Sequence, residues 1–187
     1  MKCVRGSTVL VVGAGHIGST FATMCQGLGA HTLGLKRTVR GTVEGFDQVY
    51  PMDQLDELLP QADVVALVLP HSPQTAGLMD GRRLRLMKED AILLSAGRGS
   101  VLDQDALAEA MKNGKLWGAA LDVTEPEPLP ADSPLWDIPN LILTPHVSGN
   151  MTLGYTCDRN VELFCEDLER YGRGEKPLRL VDRTIGY

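Results

Sequence analysis

Aromatic residues are scarce in this chain: two Trp, four Tyr and three Phe amount to 5% of 187 residues. Its core must therefore be aliphatic, and a hydrophobic content of 43% is enough to build one and excludes a disordered chain. Cysteine is confined to Cys3, Cys25, Cys157 and Cys165, with no CxxC pair and no tight metal-ligand spacing. That pattern argues against a disulfide framework or a metal site and for reduced thiols with structural roles inside a cell. No apolar run approaches the roughly eighteen residues needed to cross a bilayer. The run before Gly13 is only Val9 to Val12, too short for a signal-peptide core, so the expected location is the cytoplasm. The net charge of −6 comes without an acidic block, which excludes broad attraction to nucleic acid or to an anionic membrane surface. There is no internal repeat, no low-complexity tract and no sign of a second domain boundary, so residues 1–187 are read as one domain.

What the chain does have is alternation. Short apolar stretches at Thr8 to Val12, His31 to Leu35, Asp63 to Leu69, Ala91 to Ser95, Trp117 to Val123 and Leu141 to Thr144 read as buried strands. Between them lie helical patterns. Ile17 to Gln26 follows the first strand, Asp53 to Leu59 has Asp53 as its cap, and Asp103 to Asn113 ends at Gly114. A last helix is expected from about Thr152 to Tyr171, with Val161, Phe164 and Leu168 at helical spacing and Leu153 a turn or two earlier. This order predicts an α/β fold, a doubly wound parallel sheet of Rossmann type. Ligand sites then fall outside the carboxyl ends of the strands, because strand-helix-strand connections are right-handed. The segment Thr124 to Asn140 carries five prolines and is expected to be stiff rather than disordered.

Gly13, Gly15 and Gly18 form GxGxxG between a strand and a helix. In that setting the first glycine allows the tight turn, the second lets a pyrophosphate approach the backbone, and the third lets helix and strand pack closely. Amides at the helix start then face the anion. An NAD site would place an acid at the end of the second strand; here Lys36 stands there, followed by Arg37, Thr38 and Arg40. Cations and a hydroxyl suit a 2′-phosphate, so NADP(H) is the expected cofactor, with NAD(H) as the alternative. The other reading of the cluster is solvated surface charge.

Three further loops carry polar residues: SAGRGSVLD around Arg98, DVTEPEPLP around Glu127 and TPHVSGN around His146. Each follows an expected strand, so all three can converge on one edge of the sheet. Singly, each residue has an ordinary structural explanation: a helix cap or ion pair for Arg98, a solvated loop charge for Glu127, a satisfied buried histidine for His146. Together they compose a mechanism. Reduction of a 2-oxo acid builds negative charge on its carbonyl oxygen, which a histidine can protonate. A carboxylate beside that imidazole favours its protonated form, and an arginine offers a planar fork to a carboxylate or carbonyl oxygen.

The succession GAGHIG, LPHSPQT, SAGRGSVLD, GAALDVTEPEPLPADSPLW and PNLILTPHVSGN resembles the cofactor domain of the D-isomer-specific 2-hydroxyacid dehydrogenases, above all their glyoxylate/hydroxypyruvate reductase-like members. The resemblance runs over nearly the whole chain. It implies that Arg98 binds substrate, that Glu127 supports the acid-base residue and that His146 is that residue. It further implies that His16 and Ile17 touch the pyrophosphate, that Leu69 and Pro70 lie along the cofactor, that the Ala96, Gly97 and Arg98 backbone borders the nicotinamide, and that Asp122 holds the carboxamide. His146, Ser148 and Gly149 complete the expected cofactor contacts. A glutamine replaces the Glu127 type in the related formate dehydrogenases.

Two departures bear on these expectations. Lys36 replaces the acid frequent in the family. The family also carries a substrate-binding domain ahead of the glycine motif, formed with help from the C-terminal end of the chain, and this sequence does not contain that half. The expected function is thus that of an NAD(P)-binding domain whose parent enzyme moves a hydride between cofactor and a small 2-oxo or 2-hydroxy acid such as glyoxylate or hydroxypyruvate. Alone it is expected to be a poor catalyst, and a homodimer is the expected assembly. The other readings are a non-catalytic dinucleotide-sensing or dimerisation module, and a different nicotinamide enzyme such as a phosphite dehydrogenase.

Overall fold

The first strand, β1 (Thr8–Val12), reads TVLVV, and its alternate side chains go to opposite faces, both buried. Val9 and Val11 pack against Ala22 and Cys25 of α1 (His16–Gly27), while Leu10 and Val12 enter a larger core on the other side. A strand buried on both faces belongs in the middle of a parallel sheet. The computed structural model describes residues 3–149, 154–181 and 183. In it β1 is an inner strand, flanked by β2 and β4, of a seven-stranded, all-parallel sheet in the order β3-β2-β1-β4-β5-β6-β7. The remaining strands are β2 (His31–Lys36), β3 (Gln48–Pro51), β4 (Val64–Leu67), β5 (Ala91–Ser95), β6 (Leu116–Leu121) and β7 (Leu141–Leu143). The winding reverses between β1 and β4, which leaves a crevice beyond their carboxyl ends.

The expected strands are present within a few residues of their read limits, and β3 is an addition. Its sequence QVYP is short and ends in proline, a pattern that argues against a strand. β3 lies at the edge, pairing only with β2, and there Pro51 opposite Lys36 has no ladder to interrupt on its outer side. A second correction concerns Asp53 to Leu59. Instead of one helix capped by Asp53, the chain makes a 3-10 turn (Met52–Gln54), a single helical turn α2 (Leu55–Leu58) and another 3-10 turn (Leu59–Gln61). Pro51 occupies the cap position without a side-chain bond, and Pro60, which lacks an N–H, prevents an unbroken helical ladder.

The large core is aliphatic, as the shortage of aromatics requires. Leu10, Leu35, Leu55, Leu59, Leu67, Leu84, Leu93, Leu107 and Leu121 are all at most 1% exposed. They sit under α2, α3 (Gly81–Leu86) and α4 (Gln104–Lys112). Asp80 and Asp103 cap α3 and α4 by accepting from the amides of Arg83 and Ala106, and Gly114 (φ 70°) closes α4. The proline-rich segment is ordered, with Leu135 and Ile138 buried in the core and the Trp136 indole donating to the Pro130 carbonyl at 2.8 Å.

The described chain divides into two compact units, residues 1–145 and 146–187. The second contains α5 (Gly154–Gly172), which covers the described part of the helix expected from Thr152; Thr152 and Leu153 lie outside the described residues. Val161, Phe164 and Leu168 are exposed, and the following segment folds back on α5, where Asp167 accepts from the amides of Leu178 and Arg179. Cys3, Cys25, Cys157 and Cys165 are free, and burial raises the Cys25 thiol above its ordinary value. Among the described residues no helix is long and apolar enough to cross a membrane.

Two carboxylates link the fold to pH. The Thr32 amide, helped by its hydroxyl and by His31, lowers the Asp47 carboxyl; bonds from Arg82 and Arg83 lower that of Asp56. A native carboxyl below its unfolded value stabilises the fold above about pH 3.8, and that contribution is lost as the pH falls through the lowered native value. Asp56→Asn should lower the stability in urea at pH 6 by no more than about 1 kcal/mol, since the pair is at the surface. The gap to wild type should narrow as the pH is taken toward 2; a gap constant with pH would remove this assignment.

Candidate functional site

Each glycine of GAGHIG meets a different constraint. Gly13 has φ 117°, and a Cβ there would stand 2.8 Å from the Val68 carbonyl oxygen, so the turn after β1 can lie against the end of β4 only without a side chain. A Cβ on Gly18 would stand 2.2 Å from the Gly13 carbonyl oxygen, which brings α1 against the loop. Gly15 differs: nothing lies within 4 Å of where its Cβ would be. It is the N-cap of α1 with no side-chain cap bond, and beside it Ile17 is 68% exposed in the first turn. An open, uncapped helix start with a free approach over Gly15 is a cradle for a diphosphate, whose charge the first-turn amides and the helix dipole favour. The chain thus fits a dinucleotide at His16, Ile17 and the glycines by its own geometry.

At the end of β2, Lys36 is half-buried opposite Pro51, and Arg37, Thr38 and Arg40 continue the chain on the surface. Lys36, the last residue of β2, holds the position where an NAD site would have a carboxylate.

Glycines also draw together the loops after β4, β5 and β6. A Cβ on Gly97 would stand 2.4 Å from the Leu69 carbonyl oxygen, and one on Gly99 would stand 2.1 Å from that of Thr124. Leu69 and Pro70, Ala96 to Arg98, and Thr124 to Glu127 therefore lie side by side. Arg98 and Glu127 line one cleft of about 420 Å³ with His71, Gly99, Ser100, Thr124 and Glu125. The Arg98 guanidinium donates from Nη1 to the Gly97 carbonyl at 2.9 Å. The Glu127 carboxylate accepts from the Thr124 amide at 3.0 Å, and the Thr124 hydroxyl donates to the Pro126 carbonyl. Both side chains are thereby tied to backbone at the rim.

Asp122, just past β6, is 8% exposed and accepts a 2.6 Å bond from the Thr144 hydroxyl. That bond orients the carboxylate and makes Thr144 a positioning residue absent from the sequence reading. His71, Ser100 and Thr124 were also unassigned. The motifs LPHSPQT, SAGRGSVLD, DVTEPEPLP and TPHVSGN contain all four, but nothing in spacing alone separates these hydroxyls and this imidazole from ordinary loop polarity.

His146, Ser148 and Gly149 fall in the second unit. His146 is its first residue and has φ 53°, a conformation uncommon outside glycine and found at sites where the surroundings over-determine the backbone. The structure thus brings Arg98 and Glu127 into one cleft of the first unit, while His146 belongs to the second. Among the described residues there is no group of three metal-ligating side chains.

Comparison with known proteins places these features in a lineage. Residues 1–148 match the model of the D-isomer specific 2-hydroxyacid dehydrogenase NAD binding domain. The chain is 36% identical over 184 residues to a glyoxylate reductase of Korarchaeum cryptofilum, covering 97% of this chain and 54% of that protein. It resembles the D-isomer specific 2-hydroxyacid dehydrogenase of Xanthobacter autotrophicus Py2 crystallised with NADPH and MES, at 33% identity and TM-score 0.87 over 97% of this chain and 73% of that one. It also resembles the NADPH-dependent glyoxylate/hydroxypyruvate reductase of Sinorhizobium meliloti crystallised with NADP and sulfate, at 28% identity and TM-score 0.88 over 100% of this chain and 59% of that one. The chain spans about half the length of the curated glyoxylate reductases it matches.

The glycine loop offers a pair of tests. Gly15→Val adds a side chain where nothing but a ligand would be, so the melting temperature should change little while dinucleotide affinity falls at least about tenfold. Gly18→Ala forces backbone apart and should cost about 1 to 3 kcal/mol of stability. Fluorescence titration and thermal melting of both variants check this; equal effects on both readouts would contradict the division of labour.

Proposed function

The chain belongs to the D-isomer specific 2-hydroxyacid dehydrogenases, as their NAD-binding domain, and on that premise we propose that it binds NADP(H) in preference to NAD(H) and serves reduction of a small 2-oxo acid such as glyoxylate or hydroxypyruvate. The observation that carries the cofactor half is the open, uncapped start of α1 with Lys36 at the neighbouring strand end. A lysine there meets a 2′-phosphate with a charge-assisted bond, whereas a ribose hydroxyl gains more from a carboxylate. Two relatives named for NADPH or crystallised with it support the same choice.

When bound, the reduced nicotinamide supplies the hydride. The chain's own groups receive the rest of the chemistry. Arg98 holds the substrate carboxylate or carbonyl oxygen through its planar fork. His146 gives a proton to the oxygen as negative charge develops there, and Glu127 supports the imidazole in its protonated form. Asp122, held by Thr144, takes the carboxamide; Leu69, Pro70, Ala96, Gly97, Ser148 and Gly149 border the cofactor. Catalysis needs a substrate-binding half to exclude water and to orient the acid. The resemblance has the C-terminal end of the chain contribute to that half, which suits the separate second unit and the exposed Val161, Phe164 and Leu168 on α5. A second copy of the chain and a cytoplasmic location complete the proposal.

Dissociation constants for NADPH and NADH test it. Wild type should favour NADPH by about tenfold or more, the worth of one charge-assisted bond, and Lys36→Asp should reverse the order. Equal affinities in wild type would remove the phosphate pocket. With NADPH and hydroxypyruvate, residual turnover of the chain should be slow and should disappear in His146→Ala; turnover unaffected by that substitution would remove His146 as the proton donor, and a cofactor-driven change of oligomeric state with nothing lost in His146→Ala would favour a dinucleotide-sensing module.

A further inference from the structure

His71 lies in the Arg98–Glu127 cleft but has no place in the mechanism above. It is not a loose surface histidine. Its loop is stitched by the Thr75 hydroxyl, which donates to the Pro70 carbonyl at 2.7 Å and accepts from the Ser72 amide at 2.8 Å. The same loop is tied to the segment after Arg98 by two backbone bonds, from the Gly77 amide to the Ser100 carbonyl and from the Met79 amide to the Val101 carbonyl. Across that seam His71 Nδ1 and Ser100 Oγ are 2.8 Å apart. Ser100 thus occupies one ring nitrogen, and Nε2 is the nitrogen left for a ligand.

We propose that His71, positioned by Ser100, is a specificity-determining residue that selects 2-oxo acids bearing an uncharged hydroxyl on the carbon next to the carbonyl. This inference rests on the cofactor and Arg98 assignments made above. A hydroxyl both donates and accepts, so it satisfies Nε2 whichever neutral tautomer the Ser100 bond selects, and it accepts from a protonated ring as well. A hydrogen in place of that hydroxyl, as in pyruvate, does neither and forfeits the bond. A site built to bond a hydroxyl discriminates against the analogue that lacks one far more strongly than an apolar pocket discriminates by size. With Arg98 engaged by the substrate carboxylate, the other charged side chains of the cleft are Glu125 and Glu127, which disfavour a second anion such as a phosphate ester.

The test uses the chain saturated with NADP+, with saturation established first by titration. Hydroxypyruvate and pyruvate are then added separately, and the imidazole ¹H–¹⁵N signals are followed, with that of His71 identified from His71→Asn. Hydroxypyruvate should bind about tenfold more tightly than pyruvate and should move the His71 signal, as pyruvate should not. His71→Leu should bring the two affinities within twofold, His71→Asn should restore part of the gap, and Ser100→Ala should narrow it. His71 is exposed, so these substitutions leave the core intact. Equal affinities in wild type, an unchanged ratio in His71→Leu, or a His71 signal indifferent to hydroxypyruvate would overturn the proposal. A chain that fails to take up NADP+ fails at the first titration; that outcome overturns the cofactor reading and this inference with it, and is told apart from the others by the step at which it occurs.

Discussion

The contact on which the rest depends is backbone against backbone at the carboxyl edge of the sheet. Four loops, those after β1, β4, β5 and β6, approach so closely that Gly13, Gly97 and Gly99 stand where any Cβ would collide with a neighbouring carbonyl. Close approach has two consequences. It leaves main chain, not side chains, lining the crevice at the reversal point between β1 and β4. It also places Arg98 and Glu127, from different strands, on one cleft. Both would be lost if the loops were held apart by ordinary side chains.

Polar groups at this edge are each held by hydrogen bonds to neighbouring loop atoms. Glu127 accepts from the Thr124 amide, Arg98 donates to the Gly97 carbonyl, and Asp122 is fixed by Thr144. The aliphatic core beneath supports this precision. Leucines packed at most 1% exposed under the strand ends resist the small shifts that would misplace a ligand-binding atom.

Much of this was legible in the residues. The Val9 to Val12 run followed by GAGHIG predicted the strand, turn and helix, and Gly13 and Gly18 meet the turn and packing constraints assigned to them, while Gly15 leaves open space beside the backbone. The edge strand β3 was not legible, because QVYP has neither alternation nor length, and only the free outer side of β2 makes a strand of it. Asp53 as a cap was misread for a related reason. Local pattern favoured one helix, while Pro51 and Pro60 and the short span between β3 and β4 produced three successive single turns. Thr144 and His71 were visible as letters without roles, since a hydroxyl or an imidazole acquires one only from what faces it.

Periodicity and the order of motifs determined by themselves the parallel α/β architecture and the family, because alternating burial and glycine placement are constraints written along the chain. Which groups meet across loops was decided only by tertiary structure. Ser100 beside His71 and Thr144 beside Asp122 depend on distances between segments far apart in sequence. Hydrogen bonds act over about 3 Å, and no one-dimensional pattern specifies a separation that small until the strands between have been packed.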